Sequence, residues 1–181
     1  KDHGKTLKSL KNAPEGYSFK WLHEEIGTNL RLTEIQSSIG RIQLKNIHHT
    51  RLQRENNAYF LKEYLKDIKS IRIPYPDLKI KHAWYKFYIY IKPKYLLTDW
   101  SRDRIIAEIV KKGYPAFSGS CSEIYREKCL TSLSLSPKNR LKNARELGET
   151  SLMFLIDQTI QKNNLIKYAE TIKEVLKRAT K

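Results

Sequence analysis

The chain has 181 residues, 40% of them hydrophobic and 30% charged, with 35 Lys+Arg against 19 Asp+Glu and a formal net charge of +16. That length can bury one substantial core without disulfides; the apolar runs are too short for a bilayer, and no n-region followed by an h-region marks a signal peptide. Cys121 and Cys129 form neither a C-x-x-C nor a Cys/His cluster, which argues for a reduced, cytoplasmic protein and against zinc.

The cationic excess admits nucleic acid, an acidic membrane surface or an anionic substrate as partners. The basic residues are spread along the whole chain, however, with no arginine-rich run, helix-turn-helix pattern or zinc knuckle beside them. Diffuse lysine on solvated faces is the simpler account, and a basic nucleic-acid-binding module stays as the alternative from a different class.

Residues Lys1 to Ile26 carry weak periodicity. Asn12, Pro14, Gly16 and Ser18 read as loop, and a loop of this length suits a segment that packs on a larger domain or a second subunit. Thr33 and Gln36 form a T-x-x-Q capping box. Apolar residues then recur at Ile35, Ile39 and Ile42 and at Ala58, Leu61 and Leu65, which predicts one helix from Glu34 to Lys66, weakened locally at Gly40. At 1.5 Å per residue it would span about 50 Å, the length of a helix that bridges two bodies.

Past Asp67 the pattern turns to short strands: Ser70 to Pro74, then the aromatic and β-branched run Trp84 to Ile91. Ser101 caps the next helix, with Asp103 in its first turn, Ile105, Ile106, Ile109 and Val110 as its buried face and Gly113 as its stop. Tyr114 to Phe117 reads as a short strand, Ser118 to Ser136 as irregular with a short helix near Ile124. Asn143 and Glu146 read as a second capping box, Leu152 to Ile156 as a buried strand, and Asn164 to Ala179 as the last helix. The order predicts an α+β fold, in which a long interdomain helix precedes a small domain with an antiparallel or mixed sheet packed by helices. The expected bounds are 1–67 for the leading segment and helix and 68–181 for the small domain.

The run GTNLRLTEIQSSIGRIQL from Gly27 resembles the G-x-N-x-R-x-x-E-x-Q-A-A-x-G-x-x-Q-L signature of the DegT/DnrJ/StrS family, and Lys1-Asp2-His3-Gly4 resembles the R-D-H-G that precedes it. The resemblance continues through Gly113-Tyr114-Pro115 and Ser151-Leu152-Met153-Phe154-Leu155. It implies a pyridoxal-phosphate (PLP) sugar aminotransferase of the fold-type I architecture. In that family the lysine that holds PLP as a Schiff base lies upstream of R-D-H-G. The chain therefore resembles the C-terminal portion, has no catalytic residue of its own to assign, and is expected to be inactive alone.

The same resemblance implies amino transfer from an amino acid, typically glutamate, to a keto group of a nucleotide-linked sugar in polysaccharide or aminosugar synthesis. Some members are instead PLP-dependent sugar dehydratases in which that lysine is replaced. Asn29 and Arg31, an amide and a guanidinium just before a helix start, suit a phosphate chemically. The resemblance implies that they reach the PLP phosphate in a neighbouring subunit, and so a homodimer with composite sites.

Tyr85, Lys86 and Ser118 are the substrate-side candidates. Aromatics and a cation at a strand start suit a sugar or nucleotide, and the Ser118-Gly119-Ser120-Cys121 turn stands where many members carry a histidine. Alternation would put Trp84 and Lys86 on one face and Tyr85 and Phe87 on the other. Asp157 reads as a turn or helix-entry residue.

Overall fold

Thr33 and Gln36 cap the long helix reciprocally: the Gln36 N–H donates to Thr33 Oγ1 at 3.3 Å, and the Thr33 N–H donates to Gln36 Oε1 at 3.0 Å. The computed structural model describes residues 5–12, 28, 30–77 and 79–181, apart from the side chain of Cys129. Asn29, the Asp2-His3-Gly4 turn and the expected loop residues 13–26 lie outside the described residues. The chain forms two compact units, Lys1–Asn46 and Ile47–Lys181.

In the first unit the short helix α1 (Leu7–Lys11) stands where the sequence reads as loop. Its cap explains it: the Ser9 N–H donates to Thr6 Oγ1 and the Thr6 N–H to Ser9 Oγ, both at 3.0 Å. Serine in the third helical position does the work of the usual Glu or Gln. Helix α2 (Glu34–Leu65) begins in this unit with Ile35, Ile39 and Ile42 exposed.

In the second unit α2 buries Ala58, Leu61 and Leu65 in a single apolar core. The other contributors are a three-stranded antiparallel sheet of order β1-β2-β3, with β1 at Ile71–Arg72, β2 at Phe87–Ile91 and β3 at Ser151–Phe154. Registers are Ile71 opposite Ile91 and Phe87 opposite Phe154. Phe117 and Met153 bridge β3 to the segment after helix α3 (Arg102–Lys111), so the strand expected over Tyr114 to Phe117 is reduced to one pair.

Helix α3 and the last helix, α6 (Lys162–Ala179), cover one sheet face. Ser101 caps α3 by accepting from the Arg104 N–H at 3.1 Å, and Gly113 ends it at φ +86°. Only Ile105 and Ile109 of the expected four are fully buried; Ile106 is half-buried and Val110 is exposed. One i,i+4 row suffices where a helix meets its neighbours on a narrow front, and Val110 lies a further 100° round the wheel.

Helix α5 (Lys142–Thr150) starts one residue before the expected cap, with no side-chain capping bond. Tertiary structure sets its start instead, because Tyr125 Oη accepts from the Leu141 N–H at 2.9 Å. Between α3 and α5 lie a 3₁₀ turn at Ile124–Arg126 and the short helix α4 (Lys128–Ser132). After β3 the chain is tied back to α2. Asn57 donates to the Asp157 carbonyl at 3.0 Å, Arg54 to Gln158 at 2.8 Å, and Asp157 accepts from the Thr159 N–H as a turn residue. Among the described residues no helix is long and apolar enough to cross a membrane.

Phe154, fully buried with its ring edge-on to Tyr168, tests this core. Phe154→Ala should cost about 3–5 kcal/mol in urea unfolding, whereas Val110→Ala should change stability by less than about 0.5 kcal/mol. Comparable losses would show that α3 packs through the wider face read from the sequence.

Candidate functional site

Strand β2 divides its residues by period: Phe87, Ile89 and Ile91 are in the core, and Tyr88 and Tyr90 are half-buried on the opposite face. Lys86 precedes them and shares a cavity of about 360 Å³ with Tyr88, His82 and Trp84. The strand begins at Phe87 rather than at Trp84, because Trp84 takes a left-handed conformation at φ +48°. That turn sends the Trp84 ring into the core, 6.2 Å from the Phe87 ring, and breaks the alternation expected between positions 84 and 87. A bulky residue in this region costs about 1–2 kcal/mol. Ring contacts with Tyr75 at 4.9 Å and His82 at 4.5 Å, and a hydrogen bond from the Trp84 N–H to His82 Nδ1 at 2.9 Å, hold it there.

Tyr85, one residue on, is 70% exposed, with the Lys86 ammonium 5.2 Å from its ring centroid. Ser118 lies on the other side of Tyr88. Its carbonyl accepts from Ser151 Oγ at 2.6 Å, and it lines a cavity of about 430 Å³ with Ser120, Cys121 and Arg102. Tyr88 joins the two cavities: its hydroxyl lies 3.3 Å from Ser120 Oγ and accepts from the Ser120 N–H at 3.3 Å. Gly119 makes this approach possible. Its φ is +98°, and a Cβ there would lie 2.6 Å from Tyr88 Cε1. The structure thus sets a lysine, a phenol and a hydroxyl-lined turn along one polar face, groups that can donate to and accept from a polyhydroxylated ligand.

The segment that follows the turn is held to the start of α5 by a charged clamp. Arg140 donates to both carboxylate oxygens of Glu123, and Tyr125 Oη donates to the same carboxylate at 2.6 Å. The guanidinium of Arg140, then the Tyr125 hydroxyl, hold the Glu123 carboxyl down at about 2, against an ordinary value of 4.5. Ser136 Oγ donates to the Tyr125 carbonyl and closes the segment on itself.

At the start of α2, Arg31 is exposed, as are Leu30 and Leu32 on either side. The cap already uses the Thr33 and Gln36 N–H groups, so an anion here would be held by the guanidinium more than by the helix end. That donor set suits a phosphate group.

The DegT/DnrJ/EryC1/StrS aminotransferase family model matches residues 4–173. The chain belongs to that family. It is similar to an aminotransferase from Psychrobacter cryohalolentis, with 37% identity and a TM-score of 0.84 over 98% of this chain and 47% of that one. Helicobacter pylori PseC, an aminotransferase involved in the biosynthesis of pseudoaminic acid, shares the fold at 21% identity and a TM-score of 0.77, over 97% of this chain and 43% of that one. The lipopolysaccharide biosynthesis protein RfbH of Salmonella typhimurium is 31% identical over 93 residues, which is 51% of this chain and 21% of that protein. The chain thus spans under half the length of the relatives it matches.

Within this DegT/DnrJ/EryC1/StrS chain, the sequence reading placed Ser120 in the candidate turn but missed Tyr88 and the Glu123–Arg140 pair. Tyr88 carried a usable signal, lying two positions from Lys86 on a strand. Glu123 and Arg140 carried none, being 17 residues apart in an irregular stretch.

Two tests follow from this geometry. Gly119→Ala should destabilise the protein by about 1–3 kcal/mol and displace Tyr88, seen as altered ring and Ser120 amide resonances; an unchanged spectrum would remove Tyr88–Ser120 as an organising contact. Because the Glu123 value is depressed on folding, its stabilising effect is present above 4.5 and is lost as pH falls toward about 2. Amide protection at Leu141 should fall across that window, and Glu123→Gln should lower it already at neutral pH.

Proposed function

We propose that the chain is the C-terminal part of a PLP-dependent aminotransferase that moves an amino group from an amino acid, glutamate by preference, to a keto group of a nucleotide-linked sugar. The observation that carries this reading is the family match over residues 4–173, joined to the similarity to an aminotransferase along 98% of the chain. PseC and RfbH, by what they serve, favour a role in surface-polysaccharide or related aminosugar synthesis.

In this reading residues 1–67 supply the end of a large domain and the interdomain helix, and residues 68–181 the small domain. Arg31, with Asn29, holds the cofactor phosphate by charge-assisted hydrogen bonds. PLP supplies the electron sink for the reaction, and the protein orients and surrounds it. Tyr85, Lys86 and Ser118 form one wall of the sugar pocket, with Tyr88 and Ser120 between them positioning the hydroxyl-lined turn. The lysine that holds the cofactor lies elsewhere in the complete protein, so this chain alone carries out no transamination.

The exposed apolar residues Ile35, Ile39 and Ile42 support a further part of the assembly: a face of α2 that the rest of the protein, or a second subunit of a cytoplasmic homodimer, covers. In that dimer each phosphate is held partly by the other chain.

The test uses the complete protein, expressed with its natural flanking sequence and supplied with PLP. Bound-cofactor absorbance that shifts on adding glutamate supports amino transfer, and binding without that response points to the dehydratase branch of the family. Arg31→Ala should weaken PLP retention by about tenfold or more, the scale of one charge-assisted contact, while Tyr85→Phe leaves retention nearly unchanged. Equal or inverted effects would remove the phosphate role of Arg31.

A further inference from the structure

On the outer sheet face, beyond the Tyr88–Ser120 contact, a second cleft opens between α5 and strands β1 and β2. We propose that this cleft is a binding site for a diphosphate-bearing anion, separate from the cofactor site. The proposal stands independently of the transamination reading, since it rests on this cleft alone.

Its floor is the cross-strand pair Arg72–Tyr90. The two residues are directly opposed in the β1–β2 ladder, and the guanidinium carbon sits 4.5 Å from the ring centroid. Stacking on an aromatic face fixes the guanidinium plane and leaves its N–H edge available for directed hydrogen bonds. Lys92 extends the same row of β2 by two residues, and Lys94 follows at the cleft rim.

The opposite wall is one face of α5, where Lys142, Arg145, Glu146 and Glu149 fall at helical spacing. Arg145 is engaged by Glu149 at 2.9 Å, and Arg140 approaches the same carboxylate at 3.4 Å. Among the described residues, Arg72, Lys92, Lys94 and Lys142 have no carboxylate partner. Four cations without an ion-pair partner among the described residues therefore converge on a concavity of about 580 Å³, in which Arg72, Lys92, Lys94, Lys142 and Arg145 outnumber Glu146 and Glu149. That volume lies in the usual range for small-molecule sites, about 300–1,000 Å³.

Charge and shape together select the ligand class. Arg72, Lys92 and Lys94 on one side and Lys142 on the other carry like charge, and a compact multivalent anion relieves their repulsion at all of them at once. Diphosphate offers several acceptor oxygens over a short span, which suits one planar guanidinium and ammonium groups on both walls. An extended duplex fits less well, because it needs a continuous cationic track and the α5 wall carries two carboxylates.

The test is an NMR titration of the full chain with inorganic pyrophosphate and, in a second arm, uridine 5′-diphosphate, at low ionic strength, following the Tyr90 and Lys92 amides. Saturable shifts at those amides are expected, weakened about tenfold by Arg72→Gln and by Lys142→Gln, the loss of one charged contact each. Lys167→Gln, an exposed lysine on α6, should leave binding unchanged. Because Arg72 and Lys142 stand on different elements, a folding defect in one variant leaves the other to decide, with folding checked by amide dispersion. Tighter binding of the nucleotide assigns a nucleoside diphosphate, and equal binding assigns the diphosphate group itself; both uphold the site. Absence of saturable binding, or equal weakening by Lys167→Gln, would overturn it in favour of diffuse charge.

Discussion

The two-faced character of strand β2 is the constraint on which the second unit depends. Phe87, Ile89 and Ile91 must be buried together, and helices α3 and α6 with the C-terminal turns of α2 give them their cover. A strand that buries every second side chain presents the others on its opposite face. Tyr88 and Tyr90 are therefore placed outward by the same packing that forms the core, and the polar face is a consequence of the hydrophobic one.

The candidate sites of the second unit lie along that outward row. The Ser118–Ser120 turn lies against Tyr88, and α5 stands over Tyr90 with Arg72 stacked on its ring. Neither the turn nor α5 buries a residue of its own fully, so their places rest on polar contacts. Arg102 makes two of these, donating to the Gly148 carbonyl at 3.1 Å and the Ser151 carbonyl at 3.0 Å. The Glu123–Arg140–Tyr125 clamp makes others. Segments held this way open at lower free energy than a buried strand, a property suited to the wall of a ligand pocket.

Trp84 shows local preference yielding to packing. Its aromatic neighbours read as one continuous strand, yet the chain turns at Trp84 into a left-handed conformation that an indole rarely adopts. Burying that ring against Tyr75, His82 and Phe87 outweighs a backbone penalty of about 1–2 kcal/mol, since a large side chain taken wholly from water gains more than that. The result separates Trp84 from Tyr85 and leaves Lys86 to face the polar side.

The sequence by itself determined the elements whose causes are local. The Thr33–Gln36 cap, the start of α3 at Ser101 with its stop at Gly113, the periodic face of α6 and the α+β class all follow from residues within a turn or two of one another. Its signature around Asn29 and Arg31 also carried the family. Tertiary structure alone decided what depends on partners distant in the chain. It moved the start of α5 to a residue that Tyr125 holds, exposed Val110, turned Trp84 inward, and paired Glu123 with Arg140. It also brought Arg72, Lys92 and Lys142 to one cleft from three elements. Local hydrogen bonds and periodicity are written in short windows of sequence, whereas convergence of charge and shape is fixed only when the chain closes on its core.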